Sequence, residues 1–375
     1  MSQVKVNTIV DAAGGNTVTV NGYTPTMSNM AGRNRIINGD MRIDQRNGGA
    51  SVPVTSTAST YATDRWMNQQ TAASKITIQQ NQGSVTAPAG FTSYHGTTTT
   101  TAFSVTASDY FLFSQGIEGY NIADLNWGTA NAKTVTLSFW VRSSLTGTFG
   151  GSLDAGSSGG ASYPFAYSIP TANTWTKISI TISGPTIGTW GSTNSVGVFV
   201  RFGLGVGSAY SGTAGAWSSN RYFSATGATS VVGTSGATFY ITGVQLEEGS
   251  VATPFEHRLY GQELALCQRY YILFDMTAEV GLMGMAGSTT FGLVQYSFPV
   301  TMRAAPTLGT TGNAGDYRFR YGGSSFKVAS TVPALTSATV LGIRIDTNVA
   351  SGLTAGQTVV LSAVTSAPLT FSAEL

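Results

Sequence analysis

Residues 239–271, FYITGVQLEEGSVATPFEHRLYGQELALCQRYY, join a predicted β domain to the one convincing helical pattern in the chain. The first part alternates apolar and polar residues, with a slip at Gly243 that is typical of a β-bulge. Thr253-Pro254-Phe255-Glu256 has the form of a capping box, which predicts that a helix begins at Pro254. We therefore expect a connecting helix over residues 254–271.

One face of this predicted helix is apolar. The residues that recur there at helical spacing are Leu259, Tyr260, Leu264, Cys267 and Tyr271. An apolar stripe needs a surface to pack against, so we interpret the helix as the joint between two β domains. A helix that simply caps one domain is the open alternative.

The remaining sequence has the alternation of β-strands. In Thr134–Arg142, TVTLSFWVR, apolar and polar residues take turns, and 177–183 and 196–206 repeat the scheme. Several short strands with turn signals between them predict an all-β chain built on a jelly-roll β-sandwich over 35–253. Alternation resumes over 272–375, which predicts a smaller C-terminal β-sandwich domain.

The N-terminal segment 1–34 is predicted to stand apart from these domains. Two short alternating strands surround a Gly-Gly turn, and a stretch with little periodicity follows. A two-stranded hairpin is marginal alone, so this segment is expected to dock on a partner.

Composition narrows the function classes. The net charge is +2 with scattered basic residues, which argues against nucleic acid and against a membrane surface as partners. No apolar run is long enough for a membrane helix, and the N-terminus lacks a secretion signal, so synthesis in a cytoplasm is expected. The single cysteine, Cys267, excludes an intrachain disulfide.

Catalytic motifs are scarce. Glycoside hydrolysis requires two carboxylates a few ångströms apart, and the acidic residues here are few and mostly isolated. Asp64 and Glu118 are interpreted as structural ion-pair partners, and His95 and His257 are the only histidines. No phosphate loop or dinucleotide motif is present. We therefore expect a protein that is not an enzyme and has no catalytic residues.

Aromatic and basic residues suggest a glycan-binding surface instead. Trp140 and Arg142 share one strand face, and Phe199 and Arg201 share another. If those two strands are neighbours in a sheet, the four residues form a platform on the face opposite the core. Trp190, Tyr210 and Trp217, together with Tyr222, lie in Gly/Ser-rich loops and are further candidates. For each residue taken alone, burial in a packed contact is the more ordinary role of a large aromatic ring.

Several stretches in a fixed order resemble a known module. The opening INGDMRIDQR at residues 36–45 and YATDRW at 61–66 resemble the start of a jelly-roll module of bacteriophage tail fibre proteins. The pattern continues with GIEGYNIADLNWG, TLSFWVRSS, NTWTKISITISG and ITGVQLEEGSVATPFEHR, and the resemblance spans about residues 33–271. LALCQRYY and FPVTMRAAPTL belong to the same resemblance. The N-terminal VKVNTI separately resembles the start of phage fibre and appendage proteins, where that end joins the particle.

This resemblance implies a virion appendage. A tail fibre protein is expected to be a homotrimer in the virion, to join other tail proteins through its N-terminal segment, and to adhere to host-surface glycan. A head decoration or purely structural tail protein and a polysaccharide-depolymerising tailspike are the alternatives. Three copies of the 254–271 helix could bury their apolar stripes on a threefold axis.

The same opening is similar, more distantly, to carbohydrate-binding modules that hold a structural calcium. Arg42 stands where their first-strand Glu would be, and Thr242-Gly243 stands where their Asp pair would be. Because calcium takes several oxygen ligands, usually with carboxylates, no metal and no cofactor are expected. Asp40 and Glu247 could supply part of such a site.

Overall fold

The computed structural model describes residues 32–83, 85–156, 161–323 and 325–375. Its residues fall into two compact units, one that ends at Arg258 and one that begins at Leu259. The predicted N-terminal hairpin and its docking role lie outside the described residues.

The first unit is built almost entirely of strands. They are β1 (Val52–Pro53), β2 (Thr60–Tyr61), β3 (Met67–Gln70), β4 (Ile76–Gln80), β5 (His95–Thr99), β6 (Tyr110–Glu118), β7 (Val135–Ser143), β8 (Gly147–Asp154), β9 (Ser162–Ile169), β10 (Thr176–Ile182), β11 (Val196–Val206), β12 (Ser211–Gly212), β13 (Ser224–Ala225) and β14 (Thr238–Glu248). Three short 3-10 turns lie at Gly119–Asn121, Ala123–Leu125 and Ser208–Tyr210.

Two six-stranded antiparallel sheets face each other in this unit. The front sheet has the order β1-β4-β5-β14-β7-β10, and the back sheet has the order β2-β3-β6-β11-β8-β9. Strands of both sheets contribute buried residues to one core, in which Trp66 stacks on Phe113 with ring centroids 4.7 Å apart. The prediction of an all-β sandwich is confirmed.

Strand β7 shows how alternation selects the two faces. Val135, Leu137, Phe139 and Val141 are fully buried in the core. Because successive side chains point to opposite faces, Trp140 lies on the outer face of the front sheet. Its strand pairs with β10 on one side and with β14 on the other.

A bulge in β14 confirms the prediction made at Gly243. The pairing of β14 with β7 shifts between Thr242 and Gln245, and Gly243 has a positive φ of 62°. The extra residue restores the inward direction of Val244, which is buried in the core. A side chain at position 243 would also come within 2.6 Å of the Phe91 ring.

The second unit contains the one α-helix of the described residues and a smaller sandwich. Its elements are α1 (Tyr260–Gln268), β15 (Tyr271–Thr277), β16 (Gly281–Ala286), β17 (Phe291–Ser297), β18 (Thr307–Gly309), β19 (Tyr317–Tyr321), β20 (Ser325–Val328), β21 (Ala334–Ala338), β22 (Gly342–Asn348), β23 (Thr358–Ala363) and β24 (Ser366–Ser372), with a 3-10 turn at Ala314–Asp316. A three-stranded sheet (β15-β24-β18) and a seven-stranded sheet (β20-β19-β23-β16-β17-β22-β21) enclose its core.

The predicted helix start at Pro254 is wrong. The helix begins at Tyr260, six residues later, and residues 254–258 are irregular chain of the first unit. The Thr253 hydroxyl donates to the Glu247 carboxylate, and the Glu256 carboxylate accepts from backbone N–H groups of Gly32 and Asn34. Both side chains of the apparent capping box are therefore used in tertiary contacts.

The predicted apolar stripe is also not one buried face. Leu259 and Tyr260 are 75% and 58% exposed, whereas Cys267 and Tyr271 are buried. Glu263, which the stripe placed elsewhere, is buried as well. The stripe therefore gives no continuous surface for a threefold helix contact.

Among the described residues, no helix is long and apolar enough to cross a bilayer.

A buried histidine in the first unit makes stability depend on pH. The His95 ring stacks on Phe113 at 4.2 Å, and its Nδ1 lies 3.2 Å from the Thr63 hydroxyl. Burial lowers the pKa of His95 from 6.5 to about 3. Between pH 6.5 and about pH 3, the His95 imidazole is therefore protonated in the unfolded chain and neutral in the folded chain. Protonation stabilises the unfolded chain, so the free energy of unfolding is highest above pH 6.5 and falls as the pH is lowered.

We expect the free energy of unfolding of the first unit to fall by about 2 kcal/mol between pH 7 and pH 5 because of His95. All six tryptophans lie in this unit, so urea unfolding followed by tryptophan fluorescence reports on it. His95→Gln should remove that part of the pH dependence, and the control His257→Gln should retain it. Equal pH dependence in wild type and His95→Gln would contradict the assignment.

Candidate functional site

A cavity of about 250 Å³ lies on the outer face of the front sheet. Three strands of the front sheet form its floor, through Ser138 and Trp140 on β7, Lys177 on β10 and the bulge at Gly243 on β14. The loop 89–91 and the irregular segment form its walls. The residues of the irregular segment that line the cavity are Thr253, Pro254, Phe255 and His257. All of these residues belong to the first unit. The cavity is therefore built by one compact body.

The strand register places Trp140 at the centre of this surface. Trp140 pairs with Lys177 on β10 and with Thr242 on β14, so the three residues form a row across the sheet. Trp140 is half-buried and Lys177 is exposed. Directly opposed side chains on one face of a sheet lie about 5 Å apart at Cβ, so the ammonium group can reach over the indole ring.

Aromatic rings form the opposite wall. The Phe91 and Phe255 rings meet edge to face with centroids 5.1 Å apart, and the His257 ring lies 4.9 Å from Phe255 and 5.6 Å from Phe91. Gly243 permits this arrangement because any side chain there would strike the Phe91 ring. The bulge therefore allows the loop 89–91 to lie directly on the sheet.

The Glu247 carboxylate fixes the irregular segment on the sheet. This side chain is buried, and it accepts hydrogen bonds from the Thr253 backbone N–H at 2.9 Å and from the Thr253 hydroxyl at 2.5 Å. The Gln245 amide donates to Glu247 at 2.8 Å, and its carbonyl oxygen accepts from the Glu256 N–H. Arg33 lies 3.7 Å from the carboxylate and donates to the Pro254 carbonyl at 2.8 Å. We call this network the Glu247 latch.

The possible calcium ligands already have protein partners. Glu247 is held in the latch, and Asp40 pairs with Arg42 at 3.1 Å. Burial raises the pKa of Asp40, and Arg42 opposes that rise. No group of three His, Cys, Asp or Glu side chains gathers within the described ranges. These residues do not fit a calcium site, and the absence of a metal stays a prediction.

The predicted four-residue platform is wrong. Trp140 and Arg142 lie on β7 in the front sheet, whereas Phe199 and Arg201 lie on β11 in the back sheet. Arg142 is on the same face as Trp140, but its guanidinium packs 5.4 Å from the Tyr240 ring and donates to the Asn173 carbonyl. The two pairs therefore lie on different sheets and do not form one surface.

Arg201 has a structural role. It is buried, it pairs with buried Asp154, and its Nη1 donates to the Gln69 side chain at 2.6 Å. Its guanidinium lies 4.0 Å from the Phe199 ring and 4.9 Å from the Phe223 ring. Burial lowers the pKa of Arg201, and Asp154 opposes that shift. This ion pair is enclosed by protein, so Arg201 and Phe199 do not form a ligand surface.

The other predicted tryptophans form a separate cluster. Trp190 and Trp217 lie 5.5 Å apart, and Trp127 contacts both at 4.9 and 5.7 Å. Their indole N–H groups donate to backbone carbonyls, Trp190 to Ile187 and Trp217 to Ser183. The rings therefore pack on one another and use their polar atoms internally.

Tyr210 stacks on Phe223 at 4.8 Å and meets Tyr110 edge to face at 5.6 Å. Tyr222 is half-buried and accepts from the Asn220 amide. These contacts keep both tyrosines away from Trp140. Of the predicted site residues, the structure places Trp140 alone on the cavity.

Sequence reasoning missed the other members of this site. Lys177 was part of an alternating strand, but its position opposite Trp140 depends on the β7–β10 register. Phe255 and His257 were assigned to the predicted helix, and Phe91 lies in a loop without periodicity. The one signal in the sequence that points to this site is the alternation around Lys177, which places its side chain on the outer face of the strand.

Comparisons with known proteins place the chain among distant structural neighbours. No protein-family model matches the sequence, and no curated protein matches it. The chain is similar to the enzymatically active domain of tailspike protein 4 of bacteriophage CBA120, at 14% identity and a TM-score of 0.30. That alignment covers 57% of this chain and 21% of the tailspike chain, so this chain matches about a fifth of that protein's length.

Two further neighbours are sugar-binding proteins by name. A putative sugar binding protein from Bacteroides thetaiotaomicron VPI-5482 is 12% identical with a TM-score of 0.33, over 58% of this chain and 100% of that one. A family 11 carbohydrate-binding module from Clostridium thermocellum, in complex with a mixed-linked tetrasaccharide, is 11% identical with a TM-score of 0.26, over 55% and 97%. Similarity at this level gives no information about the site.

We expect Thr253→Ala to lower the free energy of unfolding of the first unit by about 2 kcal/mol, because it removes a hydrogen bond to a buried carboxylate. Urea unfolding followed by tryptophan fluorescence measures the change. The control Thr171→Ala changes an exposed threonine and should shift stability little. If both variants unfolded like wild type, the Glu247 latch would not contribute to stability.

Proposed function

We propose that this chain is a virion appendage, a tail fibre that adheres to host-surface glycan without turnover. The observation that carries the proposal is the cavity in which half-buried Trp140 lies beside exposed Lys177. The resemblance over residues 33–271 supplies the virion context. The tail attachment through the N-terminal segment belongs to the same proposal.

The chemistry of the cavity suits a sugar ring. The indole face of Trp140 offers an apolar surface for the ring's C–H groups, while the exposed ammonium of Lys177 offers a polar group for its substituents. Because the walls are strands and a latched segment, little ordering is needed when a ligand binds.

The lack of acidic side chains among the described residues of the cavity favours binding without turnover. Among the residues that the structure describes, none of those that line it is an aspartate or glutamate. Hydrolysis of a glycosidic bond by the usual route needs two such groups on either side of the bond. The buried carboxylate that holds the irregular segment, that of Glu247 on β14, is engaged by Thr253 and Gln245. These contacts support adhesion over a depolymerising activity.

An exposed apolar face in the second unit supports the proposed homotrimer. Phe326, Arg320, Val360 and Met283 occupy adjacent strands β20, β19, β23 and β16 in one row of the seven-stranded sheet. Met283 is 69% exposed and Phe326 is 49% exposed. Phe326 and Met283 lie at the two ends of this row, with Arg320 and Val360 between them. Large apolar side chains that stay exposed on an open sheet face are typical of an interaction surface. We call this row the apolar face and propose that other copies of the chain cover it.

We expect wild type to bind at least one glycan on an array of bacterial surface polysaccharides, without release of reducing sugar. Trp140→Ala should reduce that binding at least ten-fold, because stacking on the indole is lost. The matched control Trp190→Ala changes a tryptophan outside the cavity and should leave binding within two-fold of wild type. Binding that survives Trp140→Ala would refute the assignment of the site, and an absence of any glycan binding would favour a purely structural protein.

We expect Met283→Glu to convert the homotrimer to monomer, because it buries a charge in the apolar face. Size-exclusion chromatography with light scattering at micromolar concentration gives the mass. The control Leu341→Glu alters a similarly exposed residue between β21 and β22, outside that row, and should remain trimeric. A monomeric wild type, or a trimeric Met283→Glu, would contradict this interface.

A further inference from the structure

The described side chains that line the cavity include a positive charge and no negative one. Lys177 is exposed on its rim and has no ion-pair partner within 4 Å in the described part of the chain. The other titratable group that lines the cavity is His257. Asp40, which interacts with His257, pairs with Arg42, and Glu247 is held in the latch. Within the described ranges, the cavity therefore presents a lysine ammonium and no carboxylate.

Other cations near this face are already engaged. Arg142, two residues from Trp140 on β7, donates to the Asn173 carbonyl and packs on Tyr240. Lys177 is thus the cation that remains available to a ligand beside the indole ring. A lysine ammonium is a compact point charge that can meet a single carboxylate from several directions.

We propose that the ligand is an acidic glycan, whose carboxylate-bearing sugar stacks on Trp140 and places its carboxylate on Lys177. The register sets this geometry, since Lys177 lies directly opposite Trp140 on the neighbouring strand. A sugar ring on the indole face projects its equatorial substituents over the ring edge. A carboxylate in that position lies within reach of the lysine side chain.

This inference deepens the proposed function and depends on it. A charge-assisted hydrogen bond strengthens binding and also selects against a neutral analogue, because the ammonium would then lose water without gaining a partner. Specificity for an acidic sugar is therefore expected to show as a difference between two forms of the same polymer. That difference can be measured separately from binding itself.

The test uses the full chain and three acidic polymers, which are polygalacturonate, hyaluronan and α-2,8-polysialate. Each polymer is also prepared as its methyl ester, in which the carboxylate charge is removed. The neutral polymers dextran, xylan and galactan complete the set, and affinities are measured by biolayer interferometry. At least one acidic polymer should bind, with its ester at least ten-fold weaker. Lys177→Ala should weaken binding of the acidic form at least ten-fold while the affinity for the ester stays within three-fold of wild type. For Lys177→Arg and the remote control Lys75→Ala, the affinity for the acidic form should also stay within three-fold of wild type.

The outcomes separate the two proposals. Binding that depends on Trp140 but is equal for acid and ester, or unaffected by Lys177→Ala, overturns the acidic-glycan inference and leaves adhesion through this cavity standing. Binding only to neutral polymers does the same. Failure to bind any polymer overturns the glycan-binding function together with the inference.

Discussion

The site depends on one buried carboxylate, that of Glu247. A buried carboxylate needs partners, and the backbone and hydroxyl of Thr253 supply two of its hydrogen bonds. Those bonds hold the irregular segment against the outer face of the front sheet, where Phe255 and His257 form a wall of the cavity. The bulge at Gly243 is the second requirement, because it leaves space for the loop that carries the facing aromatic ring. Without both, Trp140 would lie on an open sheet with no concave surface around it.

The two sheets of the sandwich have different surfaces for the same physical reason. On the back sheet, Arg201 and Asp154 form a buried pair that is enclosed by Phe199 and Phe223, so aromatic and basic residues there serve packing. On the front sheet, Trp140 is only half covered and has an exposed lysine beside it. Aromatic and basic residues that look alike in sequence therefore have opposite roles. The difference is that Arg201 is covered by a carboxylate and two aromatic rings, whereas Lys177 is not.

Local patterns predicted the fold better than the site. Alternation on β7 gave the strand and its buried face, and the slip at Gly243 gave the bulge, because both are set by neighbours in the chain. The capping box failed because the Thr253 hydroxyl is hydrogen-bonded to Glu247 at the end of β14 and not to the backbone of a helix. The platform failed because sheet membership and register are long-range properties that no spacing encodes. The pairing of Lys177 with Trp140 became visible only with the fold.

The central claim is that a sugar occupies the cavity beside Trp140. A crystal structure of the full chain with an oligosaccharide of the polymer it binds tests this most directly. The account predicts a sugar ring stacked on the indole face of Trp140, with a polar substituent near the Lys177 ammonium and the Trp127–Trp190–Trp217 cluster empty. A sugar bound at that cluster, or on the second unit with the cavity vacant, would contradict it.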